Sequence, residues 1–184
     1  MNIAVYCASS SGNDEVYIRF AEALGREIGR RGHTLVYGGS AGGLMGAVAD
    51  GCLAEGGKVI GVEPDVPLIR ARQHQNLTEV IFTDSMAERK TVMIRLSNGF
   101  IALPGGPGTL DEITEVIDMK KLRQLSGGIA FADVNSYWQP LHGMLAHMNK
   151  CGFLDAPIEN EAIFTDDITT ILNYLEENYG TENR

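Results

Sequence analysis

The chain has 184 residues, 44% hydrophobic and 21% charged, proportions that fit a globular domain and exclude a disordered or low-complexity chain. At this length about 70% of the unfolded surface is buried on folding, so one domain over residues 1–184 holds a core without disulfide or metal staples. Lys and Arg number 15 against 24 Asp and Glu, a net charge of −9, which argues against nucleic acid or an anionic membrane as partner, since both want a basic face.

Short β-rich apolar runs alternate with amphipathic stretches along the chain. Ile3–Cys7 predicts a strand and Glu15–Arg31 a helix ended by Gly32. Thr34–Tyr37 predicts a strand, and Leu44–Glu55 a helix closed by Gly56 and Gly57. A strand at Val59–Val62 leads into the proline-containing loop Pro64–Asn76, which with Arg70, Arg72, Gln73 and His74 is either solvated surface or a mobile lid. A weaker strand at Glu79–Phe82 precedes a helix at Ser85–Leu96. Phe100–Leu103 and Ile129–Ala132 predict strands, followed by helices at Leu110–Leu125 and Tyr137–Lys150. Ile163–Phe164 is a short strand at most, and Ile168–Asn178 is a closing helix. Strands that alternate with helices pair in parallel through βαβ crossovers. Continuously apolar strands suit a sheet covered on both faces. The expected fold class is α/β: a Rossmann-like, doubly wound, mostly parallel sheet with helices on both faces.

Met1–Tyr6 has no basic n-region, and no stretch approaches the ~20 apolar residues of a membrane span, so a cytoplasmic location is expected. Cys7, Cys52 and Cys151 are scattered without metal-ligand spacing. They read as inert thiols in a reducing compartment, with no metal site.

Ligands of open α/β sheets bind beyond the carboxyl ends of the strands. Glycine is in excess, 22 residues or about 12% of the chain against a usual ~7%, and much of it falls at these ends. After the first strand, Ala8-Ser9-Ser10-Ser11-Gly12 offers hydroxyl donors for an anion, or simply a turn. After the second, Tyr37-Gly38-Gly39-Ser40-Ala41-Gly42-Gly43-Leu44-Met45-Gly46 lets backbone N–H groups converge before a helix N-terminus. It is neither a strict G-x-G-x-x-G fingerprint nor a P-loop, and a structural tight turn explains it equally well. The third is Leu103-Pro104-Gly105-Gly106-Pro107-Gly108-Thr109-Leu110-Asp111-Glu112. Its glycines form an anion-binding nest and Thr109 is expected to start the helix, while Thr109-x-x-Glu112 also fits a capping box. A capping box needs no three preceding glycines. A carboxylate at a helix N-terminus is expected to stay ionised, which suits a charge stabiliser or base. Upstream, Met86, Arg89, Lys90 and Met93 share one helical face. That face is either a solvated pair or turns a cation into the crevice. Arg89, whose planar fork reads phosphate or a diol, is the better candidate.

Tyr37-Gly-Gly-x-x-Gly-Gly-Leu-Met-Gly46, Met86-x-x-Arg89-Lys90-x-x-Met93 and Pro104-Gly-Gly-x-Gly-Thr-x-x-Glu112 together resemble the LONELY GUY (LOG) family of cytokinin riboside 5′-monophosphate phosphoribohydrolases. The likeness runs from Ile3 to about Leu125. It implies a homodimer that hydrolyses the N-glycosidic bond of a purine nucleoside 5′-monophosphate, cytokinin-type or AMP-like, with no metal or organic cofactor. It implies Arg89 and Glu112 as the catalytic pair. Substrate contacts are expected from Lys90, Gly105, Gly106, Pro107, Gly108, Thr109, Leu110 and Asp111, with Ser9, Gly39 and Met86. Family members are often labelled lysine decarboxylases, but no lysine here sits in an evident site for pyridoxal phosphate. Three places depart from the family: Asp118 and Met119 stand where plant members have threonine and tryptophan, Gly127-Gly128 replaces Lys-Pro, and the Pro64–Asn76 loop matches poorly. Base preference is thereby left open. Other readings are a non-catalytic nucleotide or molybdenum-cofactor carrier of the same fold, and a dinucleotide-dependent oxidoreductase. The latter lacks the strict fingerprint and an acidic residue at the end of the second strand.

Overall fold

Successive residues of a strand point to opposite faces of its sheet, and here both faces are apolar. Along β1 (Asn2–Tyr6), Ile3 and Val5 enter one buried cluster, Ala4 and Tyr6 the other. The computed structural model describes residues 1–179. β1 is joined by β2 (Thr34–Tyr37), β3 (Lys58–Pro64), β4 (Glu79–Thr83), β5 (Gly99–Ala102), β6 (Ile129–Ala132) and β7 (Ala162–Thr165). The sheet order is β4-β3-β2-β1-β5-β6-β7, with every neighbouring pair parallel. The sheet is thus wholly rather than mostly parallel.

Helices α1 (Glu15–Arg30), α2 (Gly43–Ala54) and α7 (Ile168–Glu177) cover one face. Helices α4 (Met86–Leu96), α5 (Pro107–Lys121) and α6 (Gln139–Lys150) cover the other. A four-residue helix, α3 (Pro67–Arg70), lies in the segment after β3. No helix among the described residues is long and apolar enough to cross a membrane. The chain runs outward from β1 to β4, then returns to lay β5 beside β1. The β1–β5 boundary is the topological switch point, where a crevice opens beyond the strand ends.

Several elements differ from their sequence expectation. α5 begins at Pro107 rather than Leu110, because proline at the first helical position has its φ preset and needs no amide partner. α6 begins at Gln139; ahead of it a 3₁₀ turn at Val134–Ser136 contains Asn135 and Ser136 with positive φ. Trp138 anchors that turn, its indole N–H donating to Ala102 O at 3.1 Å. β7 is a four-residue strand, since pairing with β6 extends it past Ile163–Phe164. The Pro64–Asn76 segment is no free lid. Ala41 N–H donates to Arg72 O at 2.8 Å, His74 N–H donates to Gly39 O at 2.9 Å, and Ser40 pairs with Gln73. His74 is buried, its ring 2.9 Å from Asp50.

α1 and α2 approach backbone to backbone at Gly25 and Gly51. A Cβ on Gly25 would stand 2.0 Å from Val48 O, and one on Gly51 would stand 2.2 Å from Glu22 O. Both obstacles are helix backbone, which cannot swing aside. Gly25→Ala is expected to lower stability by about 3 kcal/mol, near the upper end for overpacking, measured by thermal denaturation. An unchanged Tm would show that the helices separate freely at this seam.

Candidate active site at the β1–β5 switch point

α4 is set by its N-terminus. Ser85 Oγ accepts from Glu88 N–H at 3.1 Å, and Glu88 Oε2 accepts from Asp84 N–H at 2.7 Å. This fixes the first turn so that Arg89 points inward, 5% exposed. Its Nε donates to Val62 O on β3 at 2.9 Å, and its Nη1 donates to Glu112 Oε1 on α5 at 2.7 Å. Gly38 makes room: a Cβ there would lie 2.2 Å from Arg89 Nη2. Of the two readings of the Arg89–Lys90 face, the crevice is the one observed.

α5 presents an uncapped N-terminus. Gly106 occupies the N-cap with no side chain to offer, and the first helical hydrogen bond runs from Leu110 N–H to Gly106 O at 3.1 Å. The first-turn amides ahead of it keep the unpaired donors of every helix start. The capping box that the spacing also allows is absent. Thr109 is the third helical residue, buried over Gly105, and Glu112 lies in the second turn, bonded to Arg89. Burial raises the Glu112 carboxyl above its usual value, against the attraction of Arg89. Its charge therefore answers to the ion pair and not to the helix end, contrary to the sequence expectation.

These elements enclose a cavity of about 430 Å³. Ser9, Met86, Arg89, Lys90, Gly106, Gly108, Thr109, Asp111 and Glu112 all reach its wall. Gly105, Pro107, Leu110 and Gly39 stand outside that wall as supports. Thr109 covers Gly105, Leu110 turns to solvent, Pro107 opens the helix and Gly39 backs onto Glu63. At Gly106 and Gly108 the space a side chain would fill is open. Lys90 Nζ is held 2.9 Å from Asp111 and 2.8 Å from Glu115, which keep it charged. Cys7 lies on the cavity floor, 2% exposed, and burial pushes its thiol up, so it remains a neutral thiol. Asp118 is exposed and Met119 packs on the core, both away from the cavity.

Sequence reading missed Glu63. It is 0% exposed, and neither carboxyl oxygen has a hydrogen-bond partner. It lies against Gly39, whose φ is +81° and where a Cβ would stand 2.1 Å from Oε1. No motif announces it, because an acid closing an apolar strand reads as the first solvated residue. Burial raises its carboxyl above the usual value, with Arg89 and then Arg70 opposing. Folded Glu63 thus keeps its proton to higher pH than the unfolded chain, so stability falls as pH rises from the unfolded carboxylate range near ~4.3. Glu63→Gln removes that dependence. Its Tm advantage over the native chain is expected to grow between pH 4 and pH 7. An advantage equal at both would show that this carboxyl does not titrate on folding.

Residues 45–175 match the family model described as "Possible lysine decarboxylase". A cytokinin riboside 5′-monophosphate phosphoribohydrolase of Rhodococcoides fascians is 36% identical over 91% of this chain and 85% of its own. One of the same name from Mycobacterium marinum is 34% identical over 92% and 90%. Among solved structures, the molybdenum-cofactor carrier protein of Chlamydomonas reinhardtii superposes with a TM-score of 0.70 at 19% identity, over 96% of this chain and 95% of that one; this is a likeness of fold. By the extent of its match and the identity to these relatives, the chain belongs to the LONELY GUY (LOG) family, whose model carries the decarboxylase description.

Proposed function

We propose that the protein is a phosphoribohydrolase. It cleaves the N-glycosidic bond of a purine nucleoside 5′-monophosphate, the class that contains AMP and the cytokinin riboside monophosphates for which its relatives are named. The observation that carries this reading is the buried Arg89–Glu112 pair, 2.7 Å apart, on the wall of a cavity that also receives an uncapped helix N-terminus.

Each part has a role. The free amides at the start of α5, with Gly106 and Gly108 bare, cradle the 5′-phosphate, which the helix dipole favours. Glu112 lies one helical turn further on, tied to Arg89 and not to the helix end. Phosphate and carboxylate therefore occupy different places along α5. Breaking the bond between C1′ and the base leaves positive charge on the ribose. Glu112 stabilises that charge or takes a proton from the attacking water. Water oxygen ends on C1′ of ribose 5-phosphate and the base leaves with a proton. Arg89 holds Glu112 in position and offers its remaining N–H groups to the ribose or phosphate oxygens. Among the described residues no group of three or more His, Cys, Asp or Glu stands together as a metal site, and the scheme uses neither metal nor organic cofactor.

Chromatography for free base after incubation with nucleoside monophosphates tests the reading. Glu112→Gln and Arg89→Ala are each expected to lose about 10²–10³-fold in kcat, the usual cost of removing a preorganised charge at the reacting centre. Release of no base from any monophosphate would leave the non-catalytic carrier reading in its place. We read the active form as a homodimer, the assembly that the family resemblance implies; Met86 and Leu110 expose apolar surface beside the site, 53% and 40% exposed. Light scattering is expected to give twice the 19.9 kDa chain mass; a monomer retaining full activity would remove dimerisation from the scheme.

A further inference from the structure

Tyr137 stands outside the cavity wall, yet it holds the backbone that leads into the wall. Its hydroxyl donates to Gly105 O at 2.5 Å. Gly105 is also outside the wall, whereas Gly106, the next residue, is part of it. The peptide between them is trans and planar, so its C=O and its N–H point to opposite sides. Among the described residues nothing accepts from the Gly106 N–H, and the space a side chain would fill there is open. Pro107 follows and has no N–H to give. The Gly106 amide therefore counts for more here than at a helix start without proline.

The turn that carries Tyr137 runs against local preference. Asn135 and Ser136 take φ of +53° and +58° in succession, a left-handed conformation that L-residues rarely adopt. Residues held this way persist where their surroundings over-determine them. Asp133 does so here. Its carbonyl accepts from Ser136 N–H at 3.0 Å, and its carboxylate accepts from Trp138 N–H at 2.7 Å and from the Gln139 side chain. The Tyr137 ring meets Tyr17 of α1 and Trp138 edge-on, with centroids 6.1 and 5.1 Å away. The phenol thus approaches Gly105 from a fixed place, although the residue is 38% exposed. A hydrogen bond to a peptide oxygen also polarises the whole amide, which makes its N–H the stronger donor.

We propose that Tyr137 is a positioning residue for the 5′-phosphate: by holding Gly105 O on the outer side, its hydroxyl turns the Gly106 N–H to the cavity side and strengthens it as a donor to the anion. This rests on the proposed function, which puts the phosphate at the start of α5. Tyr137 itself touches neither substrate nor reacting atoms. It acts through one peptide plane.

The test is Tyr137→Phe, which removes the hydroxyl and keeps the ring. KM for AMP is expected to rise about fivefold, the usual net worth of one hydrogen bond. Little change is expected in kcat, because a phosphate held alike in ground and transition states contributes uniform binding. Inhibition by ribose 5-phosphate should weaken by the same factor, while inhibition by free adenine stays at its native strength and Tm stays close to the native value. Unchanged inhibition by ribose 5-phosphate would overturn the inference, as would a loss that falls on kcat alone. Equal weakening of both inhibitors, or a Tm far below the native one, would make the hydroxyl merely structural and overturn it too. Each of these results leaves the hydrolase reading standing. If no monophosphate releases its base, that reading fails, and calorimetric titration with ribose 5-phosphate still measures the effect of the hydroxyl. A native protein that binds no ribose 5-phosphate would overturn the cradle and this inference with it.

Discussion

A guanidinium and a carboxylate, each about 7% exposed, face each other at the crest of the sheet. Taking two charges out of water costs several kcal/mol per ion, which only close geometry and further hydrogen bonds offset. Much of the surrounding structure supplies that geometry. Val62 O takes the guanidinium Nε, the missing side chain of Gly38 lets Nη2 approach β2, and the Ser85 cap sets the first turn of α4. Removing one partner would strand the other as an unpaired buried charge, so the pair constrains α4, α5 and the ends of β2 and β3 together.

The same ion pair explains why the start of α5 is open. Glu112 engages Arg89 and lies too far along the helix to cap it, while the glycines before Pro107 carry no side chain that could. An unmet row of amides beside a cavity is a standing attraction for an anion. The overall charge of −9 does not oppose this. The field inside a low-dielectric cleft is set by the groups that line it, and here the cations line it directly. Glu63, buried behind Gly39 without a partner, adds titratable charge next to this balance.

The alternation of strand and helix, the apolar strands and the glycine-rich strand ends are written in local order along the chain, and the sequence by itself determined the fold class, the position of most elements and the crevice as the place to look. Thr34–Tyr37 and Ile129–Ala132 end where periodicity says they end. That Ser9, Arg89, Lys90, Gly106, Gly108, Thr109, Asp111 and Glu112 would gather at one crevice was legible because motifs place them at or soon after strand ends. Only the tertiary structure decided whom Glu112 serves. Capping is a contact over three residues and can be read from spacing, whereas Arg89 and Glu112 are 23 residues apart and meet because β5 returns to the side of β1 and sets α5 next to α4. Glu63 was hidden for the same reason. It looks like a strand's polar end, and which of its two readings the Pro64–Asn76 loop takes is undecided until long-range backbone bonds to the Gly39–Ala41 turn tie that loop down. Periodicity reports which face of an element is buried; it carries no information on which distant charge shares that burial.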